Sequence, residues 1–399
     1  MNKKDLKKLL NITENQYLGI DAIKGSVNLP DVKKIPKGFN PTVHGGLYLN
    51  NVRKTPKGFN PIVGFRLHLR GATEIHEGFA PTVGSVLDLN SLLKLPKEFN
   101  PTVGGNLYLD SVVEMSKAFS LTVGGGLYLS SLLEVPEGFN PTVGDYLNLN
   151  NVTKILKRFN PIVGGHLDLN GMTHISDGFN PIVGGHLNLD SVTKIPKGFN
   201  PTVGGGLHLD SVTKVPKGFN PTVGSGLHLD SVRKIPKGFN PTVGGYVYSK
   251  LTIPYTKLGN NPIIWEGGKY IKVDGLFTEV VYKRGNVYQV KKIGNPKEFY
   301  LVTDGTNWAH GDTLKQAYQD LVYKVTNRSK KDFEHLTLDS VLTFEDSVAC
   351  YRTITGACSF GTKNFVKSNG IVEKDRTIRE IIELTKDSYG NDSFVKFFN

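Results

Sequence analysis

Apolar residues recur with a period of 20 along residues 31–250, and the period never slips. Phenylalanine stands at every twentieth position from 39 to 239, valine does so from 43 to 243, and Leu-x-Leu pairs run from 47/49 to 227/229. Strict spacing without insertions is typical of stacked repeat arrays. Because alternate residues of a strand face the same side, each Leu-x-Leu pair predicts a short strand with both leucines in the core. The sequence therefore predicts a solenoid of eleven coils.

One repeat, Ser191–Asp210, shows how a coil is built. Successive strands are expected to lie side by side in a parallel sheet, about 4.8 Å apart. Gly204 and Gly205 permit a turn before the strand, and Pro196 and Pro201, which lack an N–H, belong on the far side of the coil. The column of asparagines at position 200 and its equivalents predicts a hydrogen-bonded ladder. The predicted fold class is mainly β, a right-handed parallel β-solenoid.

Four segments follow from where the repeat begins and ends. Residues 1–30 are predicted to form an N-terminal helical cap and a first partial coil, because an open end of the stack would expose the core. The repeats fill 31–250, and a linker spans 251–265. In 266–399, strands alternate with turn signals before amphipathic patterns take over, which predicts a C-terminal α+β domain. Its expected elements are an antiparallel meander within 269–303 and helices at 313–327, 343–356, 377–384 and 393–398.

The run Val-x-Lys-Ile-Pro-x-Gly-Phe followed by Leu-x-Leu resembles the short leucine-rich repeats, about 20 residues long, of bacterial and phage proteins. Val52, Val192 and Val212 stand where ordinary leucine-rich repeats have a buried asparagine. A β-solenoid straighter than those repeats is therefore an alternative. The C-terminal segments 308–311, 351–362 and 380–390 resemble a tail domain of unknown function that follows similar repeats. The resemblance implies a phage or mobile-element protein in the cytoplasm of a bacterial host cell, an inhibitor or decoy of a host defence complex.

Aromatic rings and imidazoles occupy the outward positions of the predicted strands. They form two neighbouring columns, whose members are Tyr48, His68, Tyr108, Tyr128, His208, His228 and Tyr248 in one and Tyr146, His166, His186 and Tyr246 in the other. Exposed rows of tyrosine are typical of protein-recognition surfaces. The alternative is that tyrosine and histidine simply suit strands. We take these columns as the candidate partner-binding site.

The chain is basic, with a net charge of +12, and the excess lies mostly on the repeats, which carry 22 Lys and Arg against 15 Asp and Glu. Lysines recur in two columns that are densest near the end of the array, at Lys194, Lys197, Lys214, Lys217, Lys234 and Lys237. Stacked lysines could neutralise a polyanion such as a nucleic acid. They also keep a repeat array from associating edge to edge.

Other chemistry is weakly signalled. The paired histidines at 166/186 and 208/228 are interpreted as structural surface residues and not as a metal site. A metal ion would need further ligands, and the nearest acid column contains an asparagine, Asn188, as well as Asp168. Cys358 could act as a nucleophile with His310 and Asp312, but the spacing matches no protease signature, and a small buried cysteine is the commoner outcome. No phosphate-binding loop and no cofactor motif is present.

The sequence thus predicts a non-enzymatic, intracellular interaction protein whose rigid repeat array binds a protein partner. Two cysteines in 399 residues fit a reducing compartment, and no apolar run approaches the length of a membrane span. A nucleic-acid-binding protein and a cysteine-dependent enzyme are the alternatives. The C-terminal domain is expected to dock or to form a homo-oligomer.

Overall fold

The computed structural model describes residues 22–115, 121–155, 159–325, 329–357, 359–386 and 388–399. The helical cap predicted within the first 30 residues, with Leu6, Leu9 and Leu10, lies largely outside these ranges. The chain divides into two compact units, one reaching Gly259 and including 293–295, the other comprising 260–292 and 296–399. We call them the solenoid unit and the C-terminal unit.

Two long parallel sheets run along the solenoid unit, and each coil contributes one short strand to each sheet. The first sheet contains Ala22–Ile23, Thr42–Val43, Ile62–Val63, Thr82–Val83, Thr102–Val103, Thr122–Val123, Thr142–Val143, Ile162–Val163, Ile182–Val183, Thr202–Val203, Thr222–Val223, Thr242–Val243 and Thr256–Lys257. The second contains Val27–Asn28, Leu47–Tyr48, Arg66–His68, Val86–Asp88, Leu107–Tyr108, Leu127–Tyr128, Leu147–Asn148, Leu167–Asp168, Leu187–Asn188, Leu207–His208, Leu227–His228 and Val247–Tyr248. The predicted parallel β-solenoid is confirmed.

Side-chain periodicity explains the core of this unit. Strand partners are 20 residues apart, so that Leu207 pairs with Leu227 and Val203 with Val223. The same residue type therefore lies next to itself from one coil to the next, and the described members of the valine, leucine and phenylalanine columns are buried. Successive phenylalanine rings lie nearly parallel with centroids 6.1–6.4 Å apart, Phe199 and Phe219 being one such pair.

The predicted asparagine ladder is confirmed on the side of the coil that precedes the first sheet. The backbone N–H of Asn220 donates to Asn200 Oδ1 across 2.7 Å, and that of Asn240 donates to Asn220 Oδ1 across 2.7 Å. A proline follows each of these asparagines and lacks a donor, but its carbonyl still accepts from the next coil, as Pro201 does from Thr222. Asparagine side chains and proline carbonyls thus both bond this side of the coil to its neighbour.

A third set of strands is short and carries opposite charges. Lys94–Leu95 pairs with Glu114–Met115, and Glu134–Val135 pairs with Lys154–Ile155. Each pair places a lysine beside a glutamate of the adjacent coil. The inward members of these strands are buried, so the third column completes the core on its remaining side.

The C-terminal unit opens with an antiparallel sheet of six strands in chain order. These strands are β1 (Ile263–Trp265), β2 (Tyr270–Val273), β3 (Leu276–Arg284), β4 (Val287–Lys292), β5 (Glu298–Thr303) and β6 (Trp308–Gly311). The meander is confirmed, and β1 and β6 extend it beyond the predicted strands. Residues 251–265, predicted as a linker, contain Thr256–Lys257 of the first solenoid sheet as well as β1.

Five helices follow the sheet in the described residues of this unit. They are α1 (Leu314–Val325), α2 (Phe344–Thr355), α3 (Ser359–Ser368), α4 (Ile378–Leu384) and α5 (Asn391–Phe398); Val341–Leu342 (β7) and Arg376–Thr377 (β8) form a small antiparallel pair, and Glu266–Gly268 and Lys330–Phe333 are short 3₁₀ turns. Helix α1 packs on the sheet through Ala317 and Leu321. Helices α2, α4 and α5 share a second core around Ile354, Ile378 and Phe394.

Local signals explain the helix ends that the sequence predicted. Thr343 accepts a hydrogen bond from the Asp346 N–H at the start of α2, and Gly356 ends that helix in the left-handed conformation. Thr377 and Glu380 form a reciprocal capping box on α4. Helix α3 was not predicted, because its first turn contains serine, glycine and threonine. Within the described residues, no helix combines the length and the apolar character that crossing a bilayer requires.

Candidate recognition surface of the solenoid

The outward side chains of the second solenoid sheet form a continuous row of rings in contact, some face to face and others tilted or edge to face, which we call the ring ladder. Neighbouring ring centroids are 4.2–6.5 Å apart along Tyr108, Tyr128, Tyr146, His166, His186, His208, His228 and Tyr248. Parallel pairing of consecutive coils holds the side chains in register, as for Tyr108 opposite Tyr128 and His208 opposite His228. Rings from both predicted columns thus contact one another in a single row of eight.

Each coil from 126 to 228 carries one ring at one of two outward positions, and the ladder changes column where the ring moves from one position to the other. Where the ring follows the first leucine of the strand, as in Tyr128, it leans over a glycine two residues earlier; a Cβ on Gly126 would lie 2.7 Å from the phenol ring. Gly206 and Gly226 likewise leave space for imidazole and phenol rings. Where the earlier position holds the ring, as in Tyr146, a short polar residue such as Asn148 follows the leucine. A small or short residue at the other outward position therefore leaves room for the one ring of each of these coils.

Tyr146 is held at the column change by a carboxylate. Its hydroxyl donates to Asp168 Oδ2 across 3.0 Å. Burial raises the pKa of the Tyr146 phenol well above its ordinary value, and the negative charge and hydrogen bond of Asp168 add to this effect. The ring edge is also in contact with Tyr128 and His166. Tyr146 is therefore an ordered, protonated donor in the middle of the surface.

The remaining members of the predicted site lie outside the ladder. Tyr48 and His68 form a separate pair with centroids 4.9 Å apart. The next coil has Asp88 in place of a ring, and the Arg70 guanidinium binds this buried carboxylate. At the other end, the exposed ring of Tyr246 lies 4.9 Å below the Lys257 ammonium instead of in the stack.

The histidine section of the ladder is polar as well as stacked. His186 Nδ1 lies 3.3 Å from His208 Nε2, and it also accepts from the Gly206 N–H across 3.2 Å. Burial lowers the pKa of His208, and the imidazole of His228 lowers it further. Asp210, two residues after His208, has an oxygen that accepts from the Asp230 N–H across 3.3 Å. Imidazoles and carboxylates therefore share this part of the surface.

The lysine columns differ between the two halves of the array. In earlier coils three of the lysines pair with glutamates of neighbouring coils: Lys54 with Glu74 at 2.7 Å, Lys94 with Glu114 at 2.8 Å and Lys154 with Glu134 at 3.1 Å. Within the described residues, the exposed lysines of the last three coils form no ion pair with an acid. These lysines are Lys194, Lys197, Lys214, Lys217, Lys234 and Lys237. Uncompensated positive charge is thus concentrated near the end of the solenoid.

The residues predicted for cysteine chemistry are only partly described, because Cys358 lies outside the described residues. His310 and Asp312 line one polar cavity together with Ser359, the residue after that cysteine. His310 is buried on β6, and burial lowers its pKa to about 3, with Lys324 and Lys292 adding to the shift. Asp312 is exposed and pairs with Lys297 at 2.7 Å.

The C-terminal unit also contains an apolar cavity of about 390 Å³ that sequence reasoning missed. Phe344, Val348 and Ile381 are among its lining residues. Among the described residues, the buried Ser347 hydroxyl has no hydrogen-bond partner. Its lining residues come from three helices, α2, α3 and α4, and from the sheet, so no local pattern in the sequence signals it.

Comparisons of the chain with protein-family models, with curated proteins and with solved structures give no match.

Proposed function

We propose that the chain is a non-enzymatic interaction protein whose solenoid binds a protein partner through the ring ladder. The observation that carries the proposal is the continuous row of eight rings in contact on one face of a parallel sheet. Tyrosine provides large contact area at a low cost in side-chain entropy, and it is enriched at the centres of protein interfaces. The fixed 20-residue register pre-organises the rings, so binding loses little conformational freedom.

The polar groups beside the rings support a protein partner. Asp168, Asp190 and Asp210 border the ladder with carboxylates, and the hydroxyl of Tyr146 is already oriented by one of them. Apolar ring faces flanked by oriented hydrogen-bonding groups are the composition expected of a specific protein interface. The resemblance to repeats of bacterial and phage proteins extends the proposal to a partner in the bacterial cytoplasm, with a host defence complex as the candidate.

The test compares two variants of the full chain carrying a non-histidine affinity tag. One replaces Tyr108 and Tyr128 with serine, and the other replaces Lys194, Lys214 and Lys234 with glutamine. All of these side chains point away from the core, so both variants should keep the far-ultraviolet circular dichroism of the wild type. A protein captured from bacterial lysate should be retained by the lysine variant and lost from the tyrosine variant.

Retention of the same protein by the tyrosine variant would contradict the proposal. The amount of protein captured through the ring ladder should also change little between about 50 and 200 mM salt, because this binding does not depend on counterion release. The wild type and both variants are therefore compared over this salt range.

A second candidate function is the binding of a nucleic acid, and it rests on the lysines of the last three coils. The lysine column runs at strand spacing there, and Lys214 lies opposite Lys234. A polyanion would neutralise this charge, and its affinity would fall steeply with salt. Retention of an RNA or DNA oligonucleotide by the tyrosine variant and its loss from the lysine variant would favour this function.

A further inference from the structure

Three side chains with metal-ligating atoms meet at the histidine end of the ring ladder. His208 and His228 are directly opposite each other on adjacent strands, and Asp210 follows His208 by two residues. One ligand atom from each lies within 4.8 Å of the other two, and all three residues are half-buried. Among the residues that the structure describes, this is the one group of three histidine, cysteine or acidic side chains assembled in this way.

We propose that His208, Asp210 and His228 bind a divalent transition-metal ion of the zinc class. Imidazole nitrogen and carboxylate oxygen are established zinc ligands, with bonds of about 2.0–2.2 Å. Around a tetrahedral ion such atoms lie about 3.3 Å apart, so the side chains need to close in by no more than about 1.5 Å. The two imidazoles, now inclined at 15°, would tilt apart to aim their lone pairs at one ion.

The surroundings favour a cation and orient the ligands. The carboxylates of Asp190 and Asp210 are both close enough to His208 to act on its charge. Asp210 uses Oδ1 to accept from the Asp230 N–H, which holds the carboxylate in place and leaves Oδ2 for the ion. Contacts of this kind, made behind the ligands, fix ligand orientation in metal sites. Three protein ligands leave the fourth position for water or for a group supplied by a partner.

The backbone makes the site rigid, whereas the side chains can adjust. Leu207 and Leu227, the residues before the two histidines, are fully buried and pair in the parallel sheet. His166, Asp168 and His186 repeat the spacing of the three proposed ligands, but they stand in the other column, where Asp168 Oδ2 accepts from the Tyr146 hydroxyl. Among the described residues, only His208, Asp210 and His228 bring their ligand atoms together.

The experiment is titration calorimetry of the full, untagged chain with ZnCl₂. We expect one ion per chain, and we expect His208→Gln, His228→Gln and Asp210→Asn each to weaken binding about 10-fold or more. Asp210→Asn keeps an oxygen that can accept from Asp230, so it tests the ligand charge without removing the hydrogen bond. His166→Gln is the matched control, since it removes another ladder imidazole and should leave zinc binding unchanged.

Cobalt absorption provides a second measurement on the wild type, because Co²⁺ in the same site should show the intense visible bands of tetrahedral coordination. This measurement stands even if a histidine variant fails to fold. Equal loss of zinc binding in His166→Gln, full binding in Asp210→Asn, or no binding at millimolar ZnCl₂ would overturn the proposal. The inference does not rest on the proposed protein-binding function, which is tested by capture and not by calorimetry.

Discussion

Tyr146 Oη donates a hydrogen bond to Asp168 Oδ2 across 3.0 Å, and this bond lies where the ring ladder changes column. Tyr146→Phe keeps the ring and removes the bond, so the free energy of unfolding should fall by about 1 kcal/mol. Tyr146→Ser also removes the contacts with Tyr128 and His166 and should cost more. Urea unfolding followed by circular dichroism gives both values. Equal stability of the phenylalanine variant and the wild type would show that the bond contributes nothing.

Two glycines of the solenoid should respond very differently to alanine. The three atoms nearest to a Cβ on Gly126 belong to the side chain of Tyr128, the closest at 2.7 Å, whereas a Cβ on Gly164 meets the backbone oxygen of Gly144 at 2.1 Å. Gly126→Ala should therefore displace the ring with a loss of stability under about 1 kcal/mol. Gly164→Ala should cost at least about 2 kcal/mol, because two backbones would have to separate.

Near-ultraviolet circular dichroism, which reports tyrosine stacking, and urea unfolding distinguish the two glycine variants. The expected result is a changed tyrosine signal with nearly native stability for Gly126→Ala, and a lowered urea midpoint for Gly164→Ala. A native tyrosine signal in the first variant would mean that the ladder does not need the glycine.

The period of the repeat predicted the core of the solenoid but only half of its sheet structure. Leu207 and Leu209 alternate around an outward histidine, and this pattern indicated the second sheet. The first sheet was missed because Thr202–Val203 is two residues long and follows a proline, so it shows no alternation. A strand this short is stable only because its neighbours 20 residues away pair with it, which no single coil reveals.

The residues of the candidate site were predicted, but their arrangement was not. Tyr128 and Tyr146 belong to different columns of the sequence, and their rings meet edge to face in the structure because Gly126 lets the first one lean. Asp210 was not associated with His208 and His228, because alternation assigns it to the end of the strand and not to either ring column. Side-chain direction at strand ends depends on the turn that follows, and the repeat period carries no information about it.

A buried ion pair in the C-terminal unit gives a third prediction. The Arg352 guanidinium binds Asp320, both side chains are at most 12% exposed, and the Ser359 N–H donates to the same carboxylate across 2.9 Å. Asp320→Ala would leave a buried guanidinium without this partner and should cost about 3–5 kcal/mol. Exposed pairs such as Arg379 with Asp339 should contribute under about 1 kcal/mol, so Asp339→Ala serves as the control.

Tryptophan fluorescence measures the stability of the C-terminal unit separately, because the two tryptophans of the chain, Trp265 and Trp308, both belong to it. Unfolding of the Asp320→Ala and Asp339→Ala variants is followed in this way. Similar losses in both variants would contradict a special role for the buried pair.

The last prediction concerns His310, whose folded pKa is lowered to about 3 by burial and by Lys324 and Lys292. An ordinary histidine in the unfolded chain has a pKa of about 6.5. Above that pH the imidazole is neutral in both states and contributes no pH dependence. Below it, only the unfolded chain takes up the proton. The free energy of unfolding should therefore fall as the pH drops, by about 2 kcal/mol between pH 7 and pH 5 from this residue alone.

His310→Phe tests this sign directly, because the variant keeps a ring beside Phe299 but cannot bind a proton. Carboxylates also contribute to acid sensitivity, so the quantity compared is the difference between wild type and variant at each pH. Urea unfolding followed by tryptophan fluorescence should show the wild type losing about 2 kcal/mol more than the variant between pH 7 and pH 5. Parallel pH dependence in the two proteins would mean that the imidazole takes up its proton as readily in the folded chain as in the unfolded chain.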